Sequence, residues 1–111
     1  MKAISTNNAP AAIGPYSQAI EANGTIYVSG QLPINPATGE FAQGGIKAEA
    51  RQSLTNIKNI LAAEGLDMSN VVKVTVLLAD ISYFAEVNEV YAEFFAQPYP
   101  ARSAFAVAAL P

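Results

Sequence analysis

Cysteine and histidine are both absent from the 111 residues. Without cysteine there is no disulfide, no thiolate nucleophile and no Cys-ligated metal, although the compartment is not fixed by that alone. Without histidine the commonest general base and metal ligand is missing. Charge is scarce too: 14% of residues carry one, nine acidic against six basic. No cluster of Lys or Arg can follow a phosphate backbone, so nucleic acid is not an expected partner. Long hydrophobic runs are also lacking. None approaches the ~20 residues of a membrane span, and Met1 to Asn8 hold no apolar stretch of a secretory leader. The expectation is a cytoplasmic protein with no membrane contact, no metal and no cofactor.

What is plentiful is apolar. Hydrophobic residues make up 51% of the chain, which is high for one small domain spanning residues 1–111. Ser17 to Ala22 and Thr25 to Ser29 flank Asn23-Gly24, a dipeptide that tolerates positive φ and favours a tight hairpin turn. From Gln31 to Gly45, Pro33, Asn35-Pro36, Thr38-Gly39 and Gly44-Gly45 break regular structure and predict a long ordered loop. Ile46, Ala50, Leu54, Ile57 and Leu61 recur at helical spacing, with Gly65 in the position of a C-terminal cap. Val71 to Ala79 reads as a central strand with Val72, Val74, Val76 and Leu78 on one face. Ser82 to Ala96 reads as a second helix with Phe84, Val87, Tyr91, Phe94 and Phe95 on one side, of which Phe84, Phe94 and Phe95 are more core than pocket. Asp80 or Ser82 caps it, and Pro98 and Pro100 end it.

The order β-β-α-β-α-β predicts an α+β, two-layer α/β sandwich with two helices on one face of a sheet of at least four strands. The other face of the central strand, Val71, Lys73, Thr75, Leu77 and Ala79, would stay wet in a monomer. That points to a closed oligomer with sites in clefts between subunits, unless the long loop or further chain covers it.

Arginine occurs only at Arg51 and Arg102. Arg102 sits in Tyr99-Pro100-Ala101-Arg102-Ser103-Ala104-Phe105-Ala106-Val107, a small, apolar strand. A guanidinium there is costly to desolvate unless an anion meets it, and its planar fork suits a carboxylate or phosphate. Either a small anionic ligand or a carboxylate of the chain itself, such as Glu21 or Asp80, would satisfy it. Apart from that role for Glu21, the residues Glu21, Glu64, Glu86, Glu89 and Glu93 read as solvated.

Five segments in register, Gly14-Pro15-Tyr16-Ser17-Gln18-Ala19, Tyr27-Val28-Ser29-Gly30-Gln31, Val71-Val72-Lys73-Val74-Thr75-Val76, Phe84-Ala85-Glu86-Val87-Asn88 and Tyr99-Pro100-Ala101-Arg102-Ser103, closely resemble the reactive intermediate deaminase family, RidA/YjgF. The resemblance covers nearly the whole chain. It implies a chorismate-mutase-like fold, a homotrimer with sites at the subunit clefts, and hydrolysis of 2-imino acids to 2-keto acids and ammonia. It also implies site roles: Arg102 as the carboxylate anchor, the Ala104 N–H as a further donor, the Gly30 carbonyl as acceptor for the imine N–H or water, and Tyr16 at the cleft from a neighbouring subunit. Asn88 would support the arginine, with Ser29 and Ser103 as further contacts. From residue type alone Tyr16 reads as an interface aromatic, Asn88 as a solvated helix residue and the serines as backbone-bonding fillers, while Gly30 is equally a relief of crowding.

In the family a further strand follows and carries a glutamate that positions or activates water, whereas this sequence stops at Pro111. The expectation is that the natural protein continues. A truly shortened form would keep carboxylate binding and lose hydrolysis, since a positioned base typically contributes about 10²- to 10⁴-fold. The rival to an enzyme is a non-enzymatic keto-acid-binding or sensing module using the same cleft. A ribonuclease or translation inhibitor, also attached to the family, is disfavoured by the acidic balance and the missing histidine.

Overall fold

A computed structural model describes all 111 residues. Near the N-terminus β1 (Lys2–Ile4), β2 (Ala19–Ala22) and β3 (Thr25–Val28) form an antiparallel ladder in that order. The Asn23-Gly24 turn is where it was expected. Both residues take positive φ, 52° and 78°, the pair that lets a two-residue hairpin follow strand twist. The third strand was not foreseen. Three residues are too short to show a period, and β1 is held by its register, Ile4 opposite Ala19.

The stretch read as a long loop contains a small hairpin, β4 (Ile34–Asn35) with β5 (Glu40–Phe41). Its turn is built locally. Asn35 accepts the N–H of Ala37 on its side chain and that of Gly39 on its carbonyl, with Gly39 at φ 74°. The strand order is therefore β-β-β-β-β-α-β-α-β, longer than the expected β-β-α-β-α-β.

Helix α1 (Ile46–Ala62) carries the expected stripe, and Gly65 closes it. The Gly65 N–H reaches the Ala62 carbonyl and the Leu66 N–H reaches Leu61, a Schellman pattern that needs the left-handed φ of 72° at Gly65. A short 3₁₀ turn, Met68–Asn70, leads into β6 (Lys73–Leu78). That strand is shorter than the expected Val71 to Ala79. Val74, Val76 and Leu78 face inward as expected, but Val72 precedes the strand and is exposed, while Val71 packs on the core.

The second helix begins later than Ser82. Asp80 accepts the Ser82 N–H and caps a 3₁₀ turn, Ile81–Tyr83, before α2 (Phe84–Phe94). The last strand, β7 (Ala101–Ala106), pairs parallel to β6 alone, so β6, α2 and β7 make a β-α-β unit. The strands form separate hydrogen-bonded groups, β1-β2-β3, β4-β5 and β6-β7, rather than one continuous ladder.

Two apolar clusters join the layers. Leu54, Leu61, Met68, Val90, Tyr91 and Phe95 unite α1 and α2 with Val74 and Val76 of β6. Ile60 reaches the other way, onto Ile4, Ala9 and Ala19. Val28 touches both clusters. Helices thus cover one face of the strands. On the other face Tyr27, Leu77 and Phe105 are about half exposed or more, and only 13 of 111 residues are buried. No helix is long and apolar enough to cross a membrane.

Candidate active site around Arg102

Alternation along β7 decides which side chains share a face. Val74 lies opposite Arg102 and Val76 opposite Ala104, so Arg102 and Ala104 point toward the helix layer. Ser103 points the other way, where it accepts a hydrogen bond from Lys73 Nζ at 3.3 Å. Above Arg102 lies α2, and Phe84, Asn88 and Tyr91 recur there at i, i+4 and i+7, one face of a helix.

The guanidinium rests on that face. Its Nη1 donates to Asn88 Oδ1 at 2.7 Å. Its central carbon lies 4.7 Å from the centre of the Tyr91 ring and 5.3 Å from that of Phe84, both within cation–π range. No carboxylate pairs with it. Of the internal partners considered from sequence, Asp80 is spent on the Ser82 N–H, and Glu21 lies on β2 with no salt bridge to Arg102. Nor is the side chain buried as an arginine in an apolar strand would suggest: β7 is an edge strand and Arg102 remains exposed.

Arg51 provides the contrast. Its Nε and Nη2 grip Glu93 at 3.3 and 2.7 Å, and this fork holds the Glu93 carboxyl below its ordinary range. Glu89 is bridged to Lys47 and Glu64 to Lys2, so three of the glutamates read as solvated have partners. One arginine is locked, and the other keeps N–H groups to offer.

The backbone amides of β7 alternate between its partner strand and its free edge. The N–H of Ala101 reaches the Val72 carbonyl and that of Val107 the Leu78 carbonyl. In a parallel ladder, alternate residues of an edge strand turn their amides outward. The N–H groups of Arg102, Ala104 and Ala106 therefore face the open edge of β7, which no other strand covers.

The other expected residues are placed as follows. Gly30 follows β3 and is exposed; a Cβ there would meet nothing within 4 Å and its φ is not left-handed, so neither crowding nor backbone conformation within the chain requires glycine. Ser29 spends its hydroxyl on the Ser17 carbonyl at 2.6 Å. Tyr16 is 53% exposed and its hydroxyl makes no hydrogen bond within the chain. Asn88 and Arg102 are thus in direct contact, Ala104 shares their face, and Tyr16, Ser29 and Ser103 make no hydrogen bond to the guanidinium.

Two supporting residues escaped the sequence reading. Gln18 is buried, accepts the Thr6 N–H and donates to the carbonyls of Thr6, Ala9 and Pro10, clamping the segment that leads to Tyr16. Asn56, wholly buried in α1, donates to the carbonyls of Leu32 and Ile34 and fixes the segment after Gly30. Its signal was available, since Asn56 lies one helical turn before Ile60 on a buried face. The Phe84, Asn88, Tyr91 spacing is legible too, but Phe84 reads as core and Tyr91 as one more residue of the helix face.

The pattern of the Endoribonuclease L-PSP family matches residues 6–111. The chain belongs to that family, RidA/YjgF. It is 59% identical over 110 residues to a Bos taurus protein called 2-iminobutanoate/2-iminopropanoate deaminase, covering 99% of this chain and 80% of the relative. The Homo sapiens protein of the same name is 54% identical with the same coverage. Among solved structures, RidA from the Antarctic bacterium Psychrobacter sp. PAMC 21119 superposes with a TM-score of 0.95 at 49% identity, covering all of this chain and 89% of that one. Escherichia coli TdcF with bound serine gives 0.94 at 43% identity, covering 100% and 89%. The α+β fold of the RidA structures is the fold of this protein.

Proposed function

We propose that this protein hydrolyses 2-imino acids to 2-keto acids and ammonia, with Arg102 as the carboxylate anchor. The observation that carries the reading is a guanidinium seated on Asn88 and two rings, free of any carboxylate, at an open strand edge. The relatives named as 2-iminobutanoate/2-iminopropanoate deaminases supply the substrate class.

A 2-imino acid carries a planar carboxylate next to an electrophilic C=N carbon. Two parallel N–H donors on the carboxylate fix the plane and aim the carbon. Arg102 supplies them, and the outward Ala104 N–H adds a third. Water adds to the carbon, its proton passes to nitrogen, and the carbinolamine collapses to ketone and ammonia. The Gly30 carbonyl accepts from the imine N–H or the water, and Tyr16 of a neighbouring subunit closes the site. This assembly is a homotrimer whose contacts cover the apolar outer face, including Tyr27, Leu77 and Phe105.

The test couples the protein to a pyridoxal-phosphate threonine dehydratase and follows keto-acid release. Acceleration that Arg102→Ala abolishes is the expected result; no acceleration by a folded wild type overturns the reading. A binding module is the second reading, since a guanidinium free of any carboxylate would hold a keto acid equally well. It predicts saturable 2-ketobutyrate binding without turnover.

A further inference from the structure

Asn88 accounts for one N–H of Arg102, yet the larger part of the cradle is aromatic. Phe84 and Tyr91, two turns apart on α2, both lie within cation–π distance of the guanidinium carbon. Tyr91 is itself fixed: it is 7% exposed and its ring lies 4.4 Å from that of Phe95 in the core. Its hydroxyl is buried without a hydrogen-bond partner, so the hydroxyl contributes no contact that would explain the residue. The ring is what touches the arginine. Phe84 is only half-buried, at the start of α2, and it too faces Arg102 rather than lying wholly in the core.

Ring faces hold a guanidinium without consuming its donors. A carboxylate in their place would occupy two N–H groups and cancel the charge, as Glu93 does for Arg51. A free surface arginine would instead have to freeze a long side chain whenever an anion arrived, a cost that preorganisation removes. We propose that Phe84 and Tyr91 are positioning residues that hold Arg102 preorganised and uncompensated for carboxylate capture. The proposal rests on the reading of Arg102 as the substrate anchor and deepens it. It assigns substrate affinity to two side chains that need make no contact with substrate.

The experiment measures the dissociation constant of 2-ketobutyrate by calorimetry, and KM and kcat in the coupled assay, for wild type, Phe84→Leu, Tyr91→Leu, Tyr91→Phe, Arg102→Met and the Phe84→Leu/Arg102→Met pair. Each leucine variant should raise the dissociation constant and KM about three- to tenfold with kcat little changed, the range a cation–π contact supplies. Tyr91→Phe should bind as wild type, because it keeps the ring and drops only the orphaned hydroxyl. In the Arg102→Met background Phe84→Leu should have no further effect on binding, which a general structural role would not reproduce. Should Tyr91→Leu fail to fold, Phe84→Leu and the double-mutant cycle decide alone. Wild-type affinity in a cooperatively melting Phe84→Leu protein overturns the proposal while a loss in Arg102→Met preserves the anchor. Wild-type affinity in Arg102→Met removes the anchor itself.

Discussion

Arg102 Nη1 donates to Asn88 Oδ1 across 2.7 Å, joining the edge strand β7 to the middle of α2. The acceptor is a neutral amide, so the bond orients the guanidinium and leaves its charge uncompensated. Replacing the amide oxygen by a carboxylate should reverse that. Asn88→Asp is expected to raise the dissociation constant of 2-ketobutyrate at least tenfold while the melting temperature holds or rises. The internal ion pair then competes with the ligand for the same N–H groups. Calorimetry and thermal melts on one preparation check it, and unchanged affinity would mean that the fork facing the ligand is not the one Asn88 holds.

Gly30 separates folding from function cleanly. A methyl at its Cβ position would meet no atom within 4 Å, and its backbone is not left-handed. Gly30→Ala should therefore leave stability unchanged or raise it by up to about 1 kcal/mol, through the unfolded chain. If the Gly30 carbonyl is approached by substrate or water, kcat/KM should fall at least tenfold in this stable variant. Full activity would move the acceptor role elsewhere.

How much of this was legible in the sequence depended on whether the signal was local. The Asn23-Gly24 turn, the Gly65 cap and the α1 stripe depend on a few adjacent residues, and all three stand as read. The two-residue strands β4 and β5 are shorter than any period, and only their turn chemistry at Asn35 and Gly39 marks them. Val72 failed because an alternating pattern was carried past the strand's first residue. Arg102 stands out in the sequence, but its lack of a carboxylate is a long-range fact: Asp80 turns to Ser82 and Glu21 makes no bridge to it. The contacts of Phe84 and Tyr91 with Arg102 are hidden in the sequence because an aromatic at helical spacing suits a core equally well, and Tyr91 lies both in the core cluster and over the guanidinium.

Gln18 is the least conspicuous member of the Gly14 to Ala19 segment and structurally the most committed. It is 4% exposed, and its amide serves four backbone groups of residues 6, 9 and 10. Gln18→Ala should cost about 2–4 kcal/mol, several modest hydrogen bonds plus carbonyls left unsatisfied. Urea denaturation measures the loss. Limited proteolysis should also find new cuts between Thr6 and Tyr16, and a wild-type cleavage pattern would show that the clamp does not hold the loop.

Asn56 anchors the segment beyond Gly30 from inside α1, donating to two carbonyls at 3.0 and 3.2 Å while accepting from Gln52. Asn56→Asp removes the donor, keeps the shape and sets a buried charge against two carbonyl oxygens. It should be more damaging than Asn56→Leu, whose expected cost is about 1–3 kcal/mol for the unpaired carbonyls. A urea midpoint for the aspartate variant above that of the leucine variant would contradict the assignment.

The pH dependence of stability follows from which groups are held away from their ordinary values. Hydrogen bonds from the Ser69 hydroxyl and N–H keep Asp67 below its ordinary 3.8, the Ser82 N–H does the same for Asp80, and the Arg51 fork keeps Glu93 below 4.5. A carboxylate depressed in the folded state stabilises it fully above the ordinary value and loses that contribution as pH falls through the depressed one. Lys2 and Lys47 are raised by hydrogen bonds to Glu64 and Glu89, and burial raises Tyr91. Their contributions hold below the ordinary values of 10.5 and 10.0 and are lost as pH climbs through the raised ones. With no histidine in the chain, the melting temperature should stay level from about pH 5 to 9, and it should fall below about 4 and above about 10. A series of thermal melts checks this, and a step between pH 6 and 7 would require a titrating group that these contacts do not supply.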